Sequence, residues 1–193
     1  MVIYGMVQLI CNFGRCETMK NLILLRHAKS DWSGSSVSPV NDIDRPLSSR
    51  GRSACHKISK FLFGMRLSVD LVEYSSAERA RETLMLIKKS LRFSKCQQNA
   101  ELYTFNWKKL MNVIANKSDS IKDLFIVGHN PAIEDLIFNL VSRNDTSENF
   151  EIMQQKYPTG AIAFLELNIL SWNGLSENSG RIKQFVRPKD IIH

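Results

Sequence analysis

The chain has 193 residues, 44% hydrophobic and 23% charged, which fits one globular domain with its own core and excludes a wholly disordered or collagen-like polypeptide. With 26 Lys and Arg against 19 Asp and Glu the formal charge is +7, which favours anionic partners, although the basic residues are scattered and form no long run. No stretch approaches the roughly 18 consecutive apolar residues of a membrane-spanning helix. The four cysteines, Cys11, Cys16, Cys55 and Cys96, lack the C-x-x-C spacing of a zinc site, so free thiols in a cytoplasmic protein are expected.

Residues 1–18 carry no basic residue in their first ten positions and so lack the start of a secretory signal; they read as an N-terminal extension of uncertain order before a single domain over 19–193. Leu22-Ile23-Leu24-Leu25 is an uninterrupted apolar run, as in a parallel strand covered on both faces, and it ends at Arg26-His27. A Ser-rich polar stretch from Asp31 to Arg45 reads as loop. Ala54, Ile58, Phe61, Leu62 and Met65 then recur at helical spacing. Val69 to Tyr74 is a second strand. Ser75-Ser76-Ala77-Glu78 looks like a capping box opening a helix with a stripe of Ala80, Leu84, Ile87 and Leu91.

Trp107, Leu110, Met111 and Ile114 mark a short third helix. Leu124-Phe125-Ile126-Val127 repeats the buried-strand pattern and runs into Gly128-His129-Asn130-Pro131, where Asn130 can cap a helix and Pro131 can take its first position. After that helix a polar loop extends through Gly160; Ala161 to Leu167 is another strand and Arg181 to Val186 a weaker last one. Alternating helices and strands predict a layered α/β domain with a largely parallel sheet.

Ligands of such sheets bind beyond the carboxyl ends of strands. His27 follows the first strand and His129 the fourth, with Arg26 beside one and Arg79 in the first turn after the second strand. Two imidazoles and two guanidiniums at one sheet edge suit a phosphoryl group, because a guanidinium holds phosphate oxygens bidentately and a helix N-terminus adds backbone donors. Either histidine alone is more simply a hydrogen-bonded strand-end residue, and either arginine a solvated charge. Arg81 points about 200° away from Arg79 on the same helix and is left out. Lys29 either adds positive potential near the anion or is merely solvated, and Trp32 either borders the pocket or packs on the core. Cys55 and His56 fit a helix surface, and Lys88, Lys89, Arg92 and Lys95 fit a solvated helix end rather than a nucleic-acid platform.

Leu24 to Ser30, Arg45-Pro46-Leu47 with Arg50-Gly51, Ser75 to Thr83, Val127 to Pro131, and Pro158-Thr159-Gly160 resemble the histidine phosphatase superfamily in the same order, over roughly residues 20–190, and most closely its SixA-type phosphohistidine phosphatases. The resemblance implies a phosphoglycerate-mutase-like three-layer α/β/α sandwich around a mixed, mostly parallel sheet. It also implies a metal-independent, cofactor-free phosphatase in which His27 attacks phosphorus and becomes a phosphohistidine. Arg26 and Arg79 would bind phosphate and lower the His27 pKa, while His129, the second active-site histidine, would donate hydrogen bonds to the phosphoryl oxygens.

Ala28 departs from the glycine common after the Arg-His pair. Thr104 stands where mutase and ester-phosphatase relatives place a general acid, leaving Glu101 as the candidate donor and Asp31 and Asp44 as weaker ones. An alkoxide leaving group suffers most from a missing acid, whereas the P–N bond of phosphohistidine is labile. The chain between Arg79 and His129 is also too short for a lid subdomain. The leading expectation is therefore hydrolysis of phosphohistidine on a signalling or phosphotransfer protein by a monomer that binds neither nucleic acid nor membrane. The alternative is a small-phosphomonoester phosphatase of the same superfamily, and a third class is a nonenzymatic phosphoprotein- or nucleic-acid-binding protein.

Overall fold

The computed structural model describes residues 19–32, 41–142 and 145–191. The expected N-terminal extension, Cys11, Cys16 and most of the polar loop after Trp32 lie outside them. Strands β1 (Lys20–Arg26), β2 (Ser68–Tyr74), β3 (Arg92–Gln98), β4 (Asp123–Gly128), β5 (Ile162–Leu167) and β6 (Gly180–Val186) form one sheet in the order β3-β2-β4-β1-β5-β6. The first four are mutually parallel; β5 is antiparallel to β1, and β6 to β5, so β6 again points the way of β1.

Five helices cover the sheet: α1 (Ser49–Met65), α2 (Glu78–Ile87), α3 (Trp107–Ala115), α4 (Ala132–Leu140) and α5 (Glu148–Gln155). Strand periodicity explains the two cores. Alternate residues of β1 and β4 point to opposite faces, so Leu22, Leu24, Leu124 and Ile126 pack with α3, α4 and α5, while Ile23, Leu25, Phe125 and Val127 pack with α1 and α2. Leu22, Leu24 and Leu25 are fully buried, each stabilising the fold by about 1.5–3 kcal/mol. This is the expected three-layer sandwich with a mixed, mostly parallel sheet.

Helix α1 begins where the Ser48 hydroxyl accepts from the Gly51 amide, buries Cys55, Ile58 and Leu62 on one stripe, and ends at Arg66 with φ 52°. Its first turn is pressed against the chain leaving β1. A Cβ added to Gly51 would lie 2.1 Å from the Lys29 carbonyl oxygen, and that oxygen also accepts from the Ser48 amide at 2.9 Å. On the far side Gly160, at φ +80°, donates its amide to the carbonyls of Arg26 and His27. The segment after β1 is thus held from both flanks.

Five expectations change. Cys55, expected with His56 on a helix surface, is fully buried on the inner stripe of α1, while His56 is exposed. Helix α5 occupies part of the stretch read as loop; only Phe150 and Met153 are buried on it, too few apolar positions to show a period. Arg92 and Lys95 belong to β3 rather than to a helix end, because an edge strand paired only with β2 needs little apolar patterning. Helix α2 stops at Ile87, and a 3-10 turn carries Leu91 into the core; its cap, Ala77, has no side-chain bond, since the Ser75 hydroxyl is used elsewhere. Helix α4 starts at Ala132 after Pro131, and the Asn130 amide, instead of capping, donates to Glu134 at 2.6 Å.

Candidate active site

The carboxyl ends of β1, β4 and β2 lie side by side and are tied together by backbone bonds: the His27 amide donates to Gly128 and the Ser75 amide to Val127, both at 3.0 Å. Strand adjacency therefore places the two histidines near each other although they are far apart in sequence. Their ring centroids are 5.0 Å apart, and His27 and His129 are 8% and 2% exposed.

The contacts of each ring fix its proton. His27 Nδ1 lies 2.7 Å from the Ala28 carbonyl oxygen, which can only accept, so Nδ1 carries the hydrogen. Nε2 then keeps its lone pair and accepts from Arg79 Nε at 3.2 Å. In His129 the assignment is reversed. Arg79 Nη2 faces Nδ1 at 3.5 Å, leaving Nε2–H to donate to the Ser75 hydroxyl at 2.8 Å. Ser75 is fully buried and its oxygen also accepts from the Ala77 amide.

Burial is the main reason both rings stay neutral. Desolvation, followed by the charges of Arg79, Arg26 and Arg45 and partly opposed by the bond to the Ala28 carbonyl, pushes the His27 pKa down to about 3. The same desolvation, with His27 and Arg79 next, lowers His129 to about 2. At neutral pH the site presents two uncharged imidazoles beside a buried guanidinium.

Arg79, 2% exposed, spends two of its other donors on one residue, Asp42. Nη1 donates to the Asp42 carbonyl at 2.5 Å and Nη2 to its carboxylate at 2.9 Å. Arg45 donates to the other carboxylate oxygen at 2.5 Å, and the Tyr103 hydroxyl donates to the first at 2.6 Å. Burial raises the Asp42 pKa, but the bonds from Tyr103 and Arg79 outweigh it and hold the carboxyl below its ordinary range. An anionic group thus already sits between two guanidiniums at this site and uses donors of both. The Tyr103 and Phe105 rings close against His129, at centroid distances of 5.4 and 5.7 Å.

Of the residues singled out in the sequence, His27, His129 and Arg79 converge. Arg26 does not join them by a hydrogen bond: its Nη1 donates to the Tyr157 carbonyl at 2.6 Å and its Nε is buried without a partner, so it acts on the imidazoles through its charge alone. Glu101 is exposed on a short turn and, among the described residues, its carboxylate bonds neither imidazole; it lines a groove of about 630 Å³ that shares Tyr103 with the site. Thr104 is buried and accepts from the Asn106 amide. Asp44 accepts from Asn41, the Asp31 amide donates to Pro46, and Trp32 is exposed with the Arg45 guanidinium 3.5 Å above its ring. Ala28 has negative φ and a fully buried methyl, so the departure from glycine costs no strain. Asp42, Arg45, Tyr103 and the hydroxyl of Ser75 are the residues sequence reasoning missed. Arg45 and Ser75 stood in quoted motifs, Ser75 read there as part of a helix cap; Asp42 is three residues before Arg45, in a stretch with no periodicity. Among the described residues no group of three His, Cys, Asp or Glu side chains is arranged to hold a metal ion.

An α/β sandwich whose strand ends gather neutral histidines and an arginine is built for phosphoryl groups, and comparison with known proteins agrees. The model of the histidine phosphatase superfamily (branch 1) matches residues 22–138, more than half of the chain. An uncharacterized protein of Mycobacterium leprae is 27% identical over 168 residues, covering 86% of this chain and 100% of the relative. Another, of Mycobacterium tuberculosis, is 31% identical over 146 residues, 74% of this chain and 87% of the relative. Among solved structures, a SixA protein of Nakamurella multipartitia superposes with TM-score 0.73 at 25% identity, covering 88% of this chain and 96% of its own. The protein histidine phosphatase SixA complexed with tungstate gives 0.66 at 17%, covering 89% and 99%. The chain belongs to the histidine phosphatase superfamily, its fold is that of the SixA structures, and together these support a phosphatase.

Proposed function

We propose that this phosphatase hydrolyses phosphohistidine on a protein through a covalent intermediate on His27. The observation that supports this most is the fixed tautomer of His27: Nδ1–H is anchored on the Ala28 carbonyl, and the lone pair is on Nε2, where it accepts from Arg79 Nε and is released when that donor turns to the phosphoryl group. When a phosphoryl group displaces Asp42 from Arg79, Nε2 attacks phosphorus in line. The new P–Nε2 bond forms as the bond to the substrate imidazole breaks, that ring leaving neutral because it arrives protonated on its other nitrogen. Arg79 and Arg45 hold the equatorial oxygens, and water then attacks the phosphohistidine, releasing orthophosphate and returning the neutral ring. His129 faces the same anion with Nδ1. Binding a dianion favours a proton there, and the Ser75 hydroxyl, able to accept from Nε2–H or donate to a bare Nε2, serves either state of the ring.

Substrate choice follows from the carboxylates. Asp42, the carboxylate bonded into the site, keeps its bonds from Arg45 and Tyr103 after the phosphoryl group takes Arg79, and while these hold it ionised it has no proton to give an alkoxide, whereas a P–N bond tolerates that lack. A small phosphate ester is the second reading, favoured by Asp42 itself: freed from Arg79 and set beside a phosphoryl anion, its pKa rises and it becomes an acid. Turnover of a phosphohistidine peptide against alkyl and aryl phosphates separates the two. Preference for the peptide, with alkyl phosphates slowest, is expected; a kcat/KM for an alkyl phosphate equal to or above that for the peptide rejects phosphohistidine as the substrate.

A further inference from the structure

We infer that a second anion-binding cleft lies beside the phosphoryl centre and receives acidic side chains flanking the phosphohistidine of a protein substrate; this deepens, and rests on, the function proposed above. The cleft has a volume of about 520 Å³ and, among the described residues, is lined by six cations, Arg26, Lys29, Arg50, Lys156, Arg187 and Lys189, and by no acidic residue. Among the described residues only Arg187 has an ion-pair partner, Asp190, at 2.6 Å. Like charges gathered this way repel one another unless an anion joins them.

Two independent features show a missing counter-charge. Arg26 is half-buried yet, among the described residues, has no ion pair; one nitrogen donates to the Tyr157 carbonyl, the buried Nε has no partner, and desolvation lowers its pKa despite the nearby Glu134 charge. The first turn of α1 contributes Arg50 to the cleft and holds no acidic residue, the reverse of what the positive end of a helix dipole favours. Both misfits are relieved by one negative group at the same place.

Topology sets the cleft's distance from the chemistry. Its residues come from the carboxyl end of β1, the segment entering β5 and the segment leaving β6, all on the sheet edge that carries His27. Neighbouring strands are about 4.8 Å apart, so the cleft begins within roughly 5–10 Å of His27, on the side away from β4. Residues one turn apart on a helix have Cβ atoms about 5–6 Å apart, so a Glu or Asp one turn from a helical phosphohistidine reaches it. Lys29, Arg50, Lys156 and Lys189 are all exposed, which presents charge over a broad rim suited to a protein face; a small polyanion is better held where most of its surface is enclosed.

The test uses two helical peptides bearing one phosphohistidine, with Glu or with Gln at the positions three and four residues away, and phosphoramidate as a minimal substrate. Wild-type enzyme is expected to favour the Glu peptide by about tenfold in kcat/KM, through KM, with the advantage shrinking as salt rises. The double variant Lys156→Glu/Lys189→Glu, checked for an unchanged melting temperature, loses that advantage and keeps its rate on phosphoramidate. Equal kcat/KM for the two peptides in the wild type, or an equal loss on phosphoramidate and peptide in the variant, overturns the cleft. Should no phosphohistidine substrate turn over while an ester does, the function proposed above fails and the cleft is judged by binding. Fluorescein-labelled, unphosphorylated Glu peptide binding about tenfold tighter than its Gln counterpart only in the wild type upholds it, and equal binding rejects it.

Discussion

The two sides of the β1 terminus solve opposite problems. Toward β4 the side chains are buried and electrically quiet: two neutral imidazoles, and an arginine whose charge is matched by Asp42. Toward β5 they are exposed, cationic and mostly without partners. A nitrogen nucleophile needs its lone pair, and burial protects it by making the protonated ring expensive. Long-range attraction needs the reverse, charges facing water with nothing yet opposing them. Arg26 stands between the regions, lining the open side while its charge depresses both imidazoles.

The division can be broken at the buried side first. His27→Ala is expected to abolish turnover and the acid-labile, alkali-stable phosphoenzyme; a phosphoenzyme that survives the substitution places the nucleophile elsewhere. Arg79→Ala removes the guanidinium proposed to bind the anion and should weaken inhibition by vanadate about a hundredfold, measured as Ki. Unchanged inhibition means the anion binds away from this arginine.

His129→Ala should lower kcat about a hundredfold with little change in KM, and Ser75→Ala about tenfold, because Ser75 acts only through the orientation and proton of His129. A Ser75 loss as large as that of His129, with the pH profile unmoved, points to collapse of the β2 end instead.

Acid stability probes the same burial. Both imidazoles hold protons less tightly in the fold than the ordinary histidine value of 6.5, so below that value the unfolded chain binds more protons. Their contribution to stability is complete above about pH 6.5 and is lost as the pH falls toward about 3, at up to about 1.4 kcal/mol per pH unit for each ring. Urea unfolding between pH 7 and pH 5 should therefore show a shallower slope for His129→Gln than for the wild type; parallel slopes contradict it. The smallest effect belongs to Asp42→Asn, which removes a carboxylate competing for Arg79. Since the pair is half exposed, orthophosphate inhibition should tighten by no more than about fivefold, and weaker inhibition would make Asp42 a ligand-positioning residue.

Much of the frame was readable in the chain. The runs Leu22–Leu25 and Leu124–Val127 announce strands buried on both faces, and a histidine closing each such run is enough to place two imidazoles at one edge, because parallel strands end together. The spacing of Ile58 and Leu62, or of Ile133, Leu136 and Ile137, likewise shows which helix faces turn inward. The polar parts of the site left no such trace. Ser75 reads equally well as a helix cap; it bonds His129 because β2 and β4 are neighbours. Asp42 lies in an aperiodic stretch, brought over Arg79 after the Ser30–Leu47 bridge closes the loop.

Local sequence determined what was repetitive: which residues avoid water, how often, and hence which elements exist and where their ends carry chemistry. Only the tertiary structure decided which polar groups meet. Arg26 and His27 are adjacent in the chain, yet one turns to the Tyr157 carbonyl and the other to Arg79. Hydrophobic burial depends on a residue's own character and repeats with the backbone period, whereas a hydrogen bond or an ion pair depends on the partner, and most partners here come from distant segments.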